Sequence, residues 1–186
     1  MTRQVRLEKG AYQIFEVLYF CRNPFRCRMS VIMAYHAWPQ DNISIECGVC
    51  DICQNYNGKR REMNIYEDIE HMLRVIQVLT AQDNDQIIPD DIVDVFCQAR
   101  NAKIHAKRYN ELPIYHAFKP KFLKTKELAL FALTDLIVRK LVQHDIILRK
   151  ITPTTTTMAC SVYIIGIASN ALEEAKNQNW MYRLKN

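Results

Sequence analysis

The residues with the most chemistry in this 186-residue chain are its cysteines. Cys47-Gly48-Val49-Cys50-Asp51-Ile52-Cys53 places three thiols within seven residues, and nineteen residues separate Cys47 from Cys27. A two-residue gap lets a tight turn aim neighbouring sulfurs at one ion, and zinc is satisfied by four thiolates in a tetrahedron. Gly48 favours such a turn. Three cysteines leave one corner open, and Cys27, which opens a helical pattern, is the best placed fourth ligand. Cys21 competes for that corner, although it falls on an apolar helical face, where a cysteine usually behaves as a small buried hydrophobe. An iron–sulfur cluster would accept the same four thiolates. Four thiolates leave no coordination position for water or substrate, so the expectation is one structural Zn2+ and no catalytic role. Cys97 and Cys160 are expected to be ordinary thiols, and no histidine pairs with another or with a carboxylate at ligand spacing. No nucleophile is assigned.

The elements that must position these thiols fall into two halves. Ile14, Val17, Leu18 and Cys21 share one helical face, so a first helix is expected over about 10 to 21, and a second over about 27 to 37. Gln13 and Glu16 interrupt the first apolar stretch, and Arg22, Asn23 and Pro24 follow it, so it is read as an amphipathic helix and not as a signal peptide. The polar stretch Gln54 to Met63 is the best linker. Beyond it, Ile69, Met72, Leu73, Ile76 and Leu79 mark one helix. Ile92, Val95 and Phe96 mark another, with Asp90 or Asp91 as its cap. A third begins at Thr125 and carries Leu130, Leu133, Ile137 and Leu141 to about Gln143.

The period then changes. Ile146 to Ile151 and Cys160 to Ile167 are rich in β-branched residues, and Pro153 with Thr154 to Thr157 separates them, which reads as a β-hairpin. The expected fold is mainly α with a small β-hairpin wing: a four-cysteine helical subdomain over 1–58, a winged-helix, helix-turn-helix type domain over 64–175, and a tail over 176–186.

The seven cysteines are an odd number without a secretory signal, which favours metal ligation over a disulfide scaffold. No apolar run approaches the roughly 20 residues that a bilayer requires, so no membrane partner is expected. The net charge is only +5, but Arg100 to Lys126 holds Arg100, Lys103, Lys107, Arg108, Lys119, Lys121, Lys124 and Lys126 against Glu111 alone. Such a field suits an anionic partner.

Tyr19-Phe20-Cys21-Arg22-Asn23, Cys27-Arg28, Ala34-Tyr35 and Cys47-Gly48-Val49-Cys50-Asp51-Ile52-Cys53, in this order and spacing, resemble the zinc-binding helical hairpin that follows the motor domains of RecQ helicases. The stretch from Asp94 to Ile104 resembles the DNA-backbone-contacting segment of the Bloom-type and related yeast members. Tyr163-Ile164-Ile165-Gly166 with Asn170-Ala171 resembles the strand that closes the same domain.

The resemblance implies Cys27, Cys47, Cys50 and Cys53 as the zinc ligands. It further implies a module of an ATP-dependent 3′ to 5′ DNA helicase acting in replication, recombination and repair, nuclear in a eukaryote and otherwise cytoplasmic. DNA contact is expected at the corner Arg100, Asn101 and Lys103 and at Lys124, Thr125 and Lys126 before and at the start of the third helix, mostly to phosphates of a duplex or junction. The hairpin tip would be Thr154, Thr155, Thr156, Thr157 and Met158, without the aromatic wedge of several relatives, which places the chain nearest the Bloom-type branch. A further departure is Gln98-Ala99 where the family usually has Gly-Ser. The only Gly-Lys pair, Gly58-Lys59, lacks the upstream glycine and following hydroxyl of a phosphate loop, so this chain alone is expected to have no ATPase activity and to work with motor domains in cis or in trans. The alternative is a standalone zinc-containing winged-helix module that binds DNA or protein.

Overall fold

The computed structural model describes residues 3–23, 25–37, 46–54, 60–82, 86–150 and 158–185. These are mainly helical with two small antiparallel sheets. The first half contributes α1 (Arg3–Arg22), α2 (Arg28–His36) and the single turn α3 (Asp51–Gln54). Strand β1 (Arg60–Asn64) follows. The main helices beyond it are α4 (Tyr66–Thr80) and α5 (Pro89–Phe96). The short turns α6 (Ala102–Ala106) and α7 (Pro113–Ala117) lead to α8 (Lys126–Val138). The chain closes with β2 (Val142–Lys150), β3 (Met158–Ile167), α9 (Ala171–Asn177) and β4 (Met181–Lys185).

The core lies where the apolar periodicity puts it. Ile69, Met72, Leu73, Ile76 and Leu79 of α4 are buried together with Ile92, Val95 and Phe96 of α5 and Leu133 and Ile137 of α8. β2 and β3 form the expected antiparallel hairpin, with Asp145 opposite Tyr163 and Lys150 opposite Met158. It is tied to the segment leading into α5 by the amide of Ile164, which donates to Ile87 O at 2.8 Å. Residues 151–157, including Thr154, Thr155, Thr156 and Thr157 of the expected tip, lie outside the described residues.

Several expectations are corrected. The third main helix stops at Val138, not near Gln143, because Lys140 adopts φ 61° and the amides of Leu141 and Lys140 turn back to Leu136 O and Ile137 O, closing a Schellman motif. The cap of α5 is Ile88, followed by Pro89 at the first helical position, and Asp91 reaches back to accept from the Ile88 amide at 3.2 Å. The expected linker ends in a strand: residues 60–64 pair antiparallel with 181–185. The expected tail therefore carries structure. Trp180 and Tyr182 are buried, and Tyr182 Oη donates to Asp135 Oδ2 of α8 at 2.6 Å.

The buried side of α1 also differs. Ile14 and Val17 are 56% and 61% exposed, whereas Phe15 is buried and Tyr19 is partly so. Aromatic contacts select that side: Tyr19 stacks on Phe131 of α8 with centroids 5.2 Å apart, and Phe15 meets the His144 ring edge-on at 4.6 Å.

Candidate metal centre and nucleic-acid interface

Cys27 immediately precedes α2 in extended backbone, with φ −51° and ψ 130°, and its thiol is buried. The other three thiols come from one knuckle. Gly48 takes φ 73°, a left-handed value that a side chain would strain, and this turn brings Cys47 and Cys50 together. The turn α3 then carries Cys53 back to them. The ligand atoms of Cys27, Cys47, Cys50 and Cys53 all lie within 4.8 Å of one another, so the four could hold one metal ion. Cys47 Sγ is 4.0 Å from Cys53 Sγ, and Cys50 Sγ is 4.0 Å from Cys27 Sγ. Cys21 is exposed and outside the cluster.

Backbone amides prepare the sulfurs for negative charge. The Cys47 amide donates to Cys27 Sγ at 3.3 Å, the Cys50 amide to Cys47 Sγ at 3.3 Å, and the Cys53 amide to Cys50 Sγ at 3.4 Å. Desolvation opposes ionisation of Cys50, but the backbone amides of Cys53 and Arg28 and the neighbouring thiols outweigh it and bring its thiol to about 6. At Cys27 burial likewise opposes ionisation, and the amides of Cys47 and Ser30 hold the thiol below its usual value. Cys53 goes the other way: the Gly48 amide favours its thiolate, but desolvation and the three adjacent sulfurs push it up to about 12. The thiols are therefore unequal: the amides favour the thiolates of Cys27 and Cys50, and Cys53 holds its proton most firmly.

Two residues outside the ligand set hold this centre against the rest of the molecule, and neither had a role on sequence grounds. Arg28 forms a two-pronged pair with Asp51 at 3.1 and 3.0 Å, and it donates to the carbonyls of Phe20 and Cys21 at the end of α1. One guanidinium thus joins α1, α2 and α3. The signal was present in the sequence as opposite charges that each directly follow a cysteine ligand.

The expected DNA-contacting residues are brought together, but most are engaged within the protein. Asp94 of α5 binds Asn101 Nδ2 with one oxygen at 3.0 Å and Lys126 Nζ with the other at 3.3 Å, so the corner and the start of α8 are neighbours. Asn101 also caps α6 by accepting from the Ile104 amide, and Thr125 caps α8 by accepting from the Leu128 amide at 3.3 Å. Lys103 pairs with the buried Asp91 at 2.7 Å, and Lys107 pairs with its other oxygen at 3.0 Å. Burial opposes the charge of Asp91, yet these two lysines and the Ile88 amide hold its carboxyl below the ordinary carboxylate range. Arg100 and Lys124 are exposed and have no ion-pair partner among the described residues. Met158, the last residue of the expected tip, opens β3.

Gln98 takes a left-handed φ of 54°, a value that glycine adopts without strain. It closes a Schellman motif after α5, with the Ala99 amide donating to Asp94 O at 2.8 Å. The Gln98 side chain offsets the strain by donating to the carbonyls of Tyr115 at 2.7 Å and Phe118 at 3.0 Å.

A scan against protein-family models gives no match, and a search of curated proteins gives no significant relative.

Proposed function

We propose that this chain is the zinc-binding and winged-helix module of a RecQ-type 3′ to 5′ DNA helicase, gripping duplex or junction DNA through its phosphates while motor domains supplied in cis or in trans hydrolyse ATP. The observation that carries this reading is the clamped four-cysteine centre joined to a unit whose main helices α4, α5 and α8 precede an antiparallel hairpin. Zinc is the metal of choice. Four sulfurs about 2.3 Å from a tetrahedral zinc stand about 3.8 Å apart, a spacing that small closure of the present cluster reaches. When bound, the ion would supply folding energy and no reaction step. The hairpin after α8 supports reading this half as a winged helix, with β2 and β3 as the wing.

The interface reading rests on Arg100 and Lys124, whose charges are available to phosphate, and on the start of α8 beside them, where free backbone amides add partial positive charge. Contact with the backbone alone predicts little sequence preference. In a eukaryotic cell the module would act in the nucleus during replication, recombination and repair. No helix among the described residues is long and apolar enough to cross a membrane.

A second reading, a standalone module that binds a protein partner, draws on two exposed apolar stripes. Ile14, Val17 and Leu18 on α1, and Met29, Ile32 and Met33 on α2, follow helical spacing, and no residue of α2 is buried. The helicase reading gives these stripes to the motor domains. A motor domain encoded directly upstream in the same reading frame would separate the two.

The direct test is duplex binding by fluorescence anisotropy across a salt series. Arg100→Ala with Lys124→Ala should weaken binding and lower the slope of log affinity against log salt by about 1.8, which is about 0.9 for each phosphate that is no longer neutralised. Unchanged affinity and slope at constant metal content would reject the surface.

A further inference from the structure

The first turns of α5 present three carboxylates, Asp90, Asp91 and Asp94, and they are held very differently. Asp91 is buried and fixed between Lys103 and Lys107. Asp94 is buried and bound on both oxygens, to Asn101 and to Lys126. Asp90 is 52% exposed, and its one ion pair among the described residues is to Lys126 Nζ at 2.9 Å. Lys126 is itself 55% exposed and is the first residue of α8, beside the amides that would receive a phosphate.

We propose that Asp90 stands in for a DNA phosphate on Lys126, so that a duplex must displace it to engage this lysine, and Asp90 thereby limits the affinity of the corner. This rests on the DNA-binding reading above. A carboxylate and a phosphodiester present the same charge and similar acceptor oxygens to an ammonium group. Both partners are solvated, so the pair is weak enough to exchange. Asp94 cannot leave in the same way, because it is buried and its second oxygen is committed to Asn101. It would keep Lys126 in place after Asp90 swings out. The acidic edge thus divides the basic residues of the corner: Lys103 and Lys107 fasten α6 to α5, Arg100 and Lys124 offer charge at once, and Lys126 offers it only after exchange.

The test is a double-mutant cycle on the full chain, with a fluorescent duplex as probe and affinity measured across salt. Asp90→Asn should tighten binding by up to about fivefold, the equivalent of one exposed ion pair, and should steepen the salt slope by about 0.9. Lys126→Ala should change the parent little and should abolish the gain in the Asp90→Asn background. A gain that survives Lys126→Ala would overturn the competition, since it would reflect only the removal of a repelling charge. Parent binding with no change on Asp90→Asn would overturn it as well and leave the DNA reading standing. If neither the parent nor Asp90→Asn binds duplex at low salt, the DNA reading falls and the competition with it. Asp90 is exposed, so unchanged thermal melting should accompany Asp90→Asn, whereas Lys126→Ala also takes a partner from the buried Asp94 and should lower the melting temperature modestly without unfolding the chain.

Discussion

Asp68 offers a quantitative test of how the segment leading into α8 is held. It lies in the first turn of α4, is fully buried, and accepts from three successive amides: Lys121 at 2.9 Å, Phe122 at 2.8 Å and Leu123 at 2.8 Å. A hydrogen bond to a charged group contributes about 1.5–3 kcal/mol, so three would sum to about 4.5–9 kcal/mol if they were independent. They are not, since one carboxylate makes all of them and water can reach the outer amide after its removal. Asp68→Ala should therefore cost about 3–5 kcal/mol, against a total stability of about 5–15 kcal/mol for a domain. Asp68→Asn should cost less, because its amide oxygen can keep the two bonds to Phe122 and Leu123 while the amide NH2 group faces the Lys121 donor. Urea denaturation gives the totals, and amide hydrogen exchange gives the location, with protection lost first at residues 121–123. Glu67→Gln is the control: it removes the neighbouring exposed pair to Lys121, 3.5 Å long, and should change stability by less than about 0.5 kcal/mol. A loss below about 1 kcal/mol for Asp68→Ala, or unchanged exchange at residues 121–123, would show that this carboxylate does not anchor the segment.

At the metal centre, Cys27→Ser, Cys47→Ser, Cys50→Ser and Cys53→Ser should each lower the metal content measured by elemental analysis, whereas Cys21→Ser should leave one ion per chain; the reverse result for Cys21 and Cys27 would break the ligand assignment. Gln98→Ala keeps the left-handed backbone but loses both side-chain bonds, so it should destabilise by about 1–3 kcal/mol in urea titrations. Burial pushes His71 and His144 below their ordinary value of 6.5. Between those lowered values and 6.5 the unfolded chain binds protons that the folded chain refuses, so stability is complete above 6.5 and falls as pH drops through this window. Melting temperatures should show this acid loss, and His71→Phe should lessen it. The purified chain should show no ATP turnover with or without DNA, and turnover that persists after further purification would count against the helicase-module reading.

Features that depend on neighbours a few residues apart were legible in the amino-acid order. The spacing of Cys47, Cys50 and Cys53, with Gly48 in the turn, is a local constraint, and the structure gathers these thiols with Cys27. The buried faces of α4 and α5 and the Thr125 cap of α8 follow from helical period and side-chain chemistry within a turn or two. Tertiary structure decided the rest. Residues 60–64 and 181–185 are short and polar or mixed, and only closure across more than a hundred residues turns an expected linker and tail into a paired sheet. The spacing of Ile14, Val17, Leu18 and Cys21 pointed to the side of α1 that stays exposed, because apolar residues wind around this helix; the rings of Phe131 and His144 select Phe15 and Tyr19 instead. Charge counting along Arg100 to Lys126 registered a basic field. It had no means of showing that the carboxylates of α5, packed against that segment, already neutralise Lys103, Lys107 and Lys126. Electrostatic pairing acts through space over a few ångströms, and sequence distance does not report it until the chain has folded.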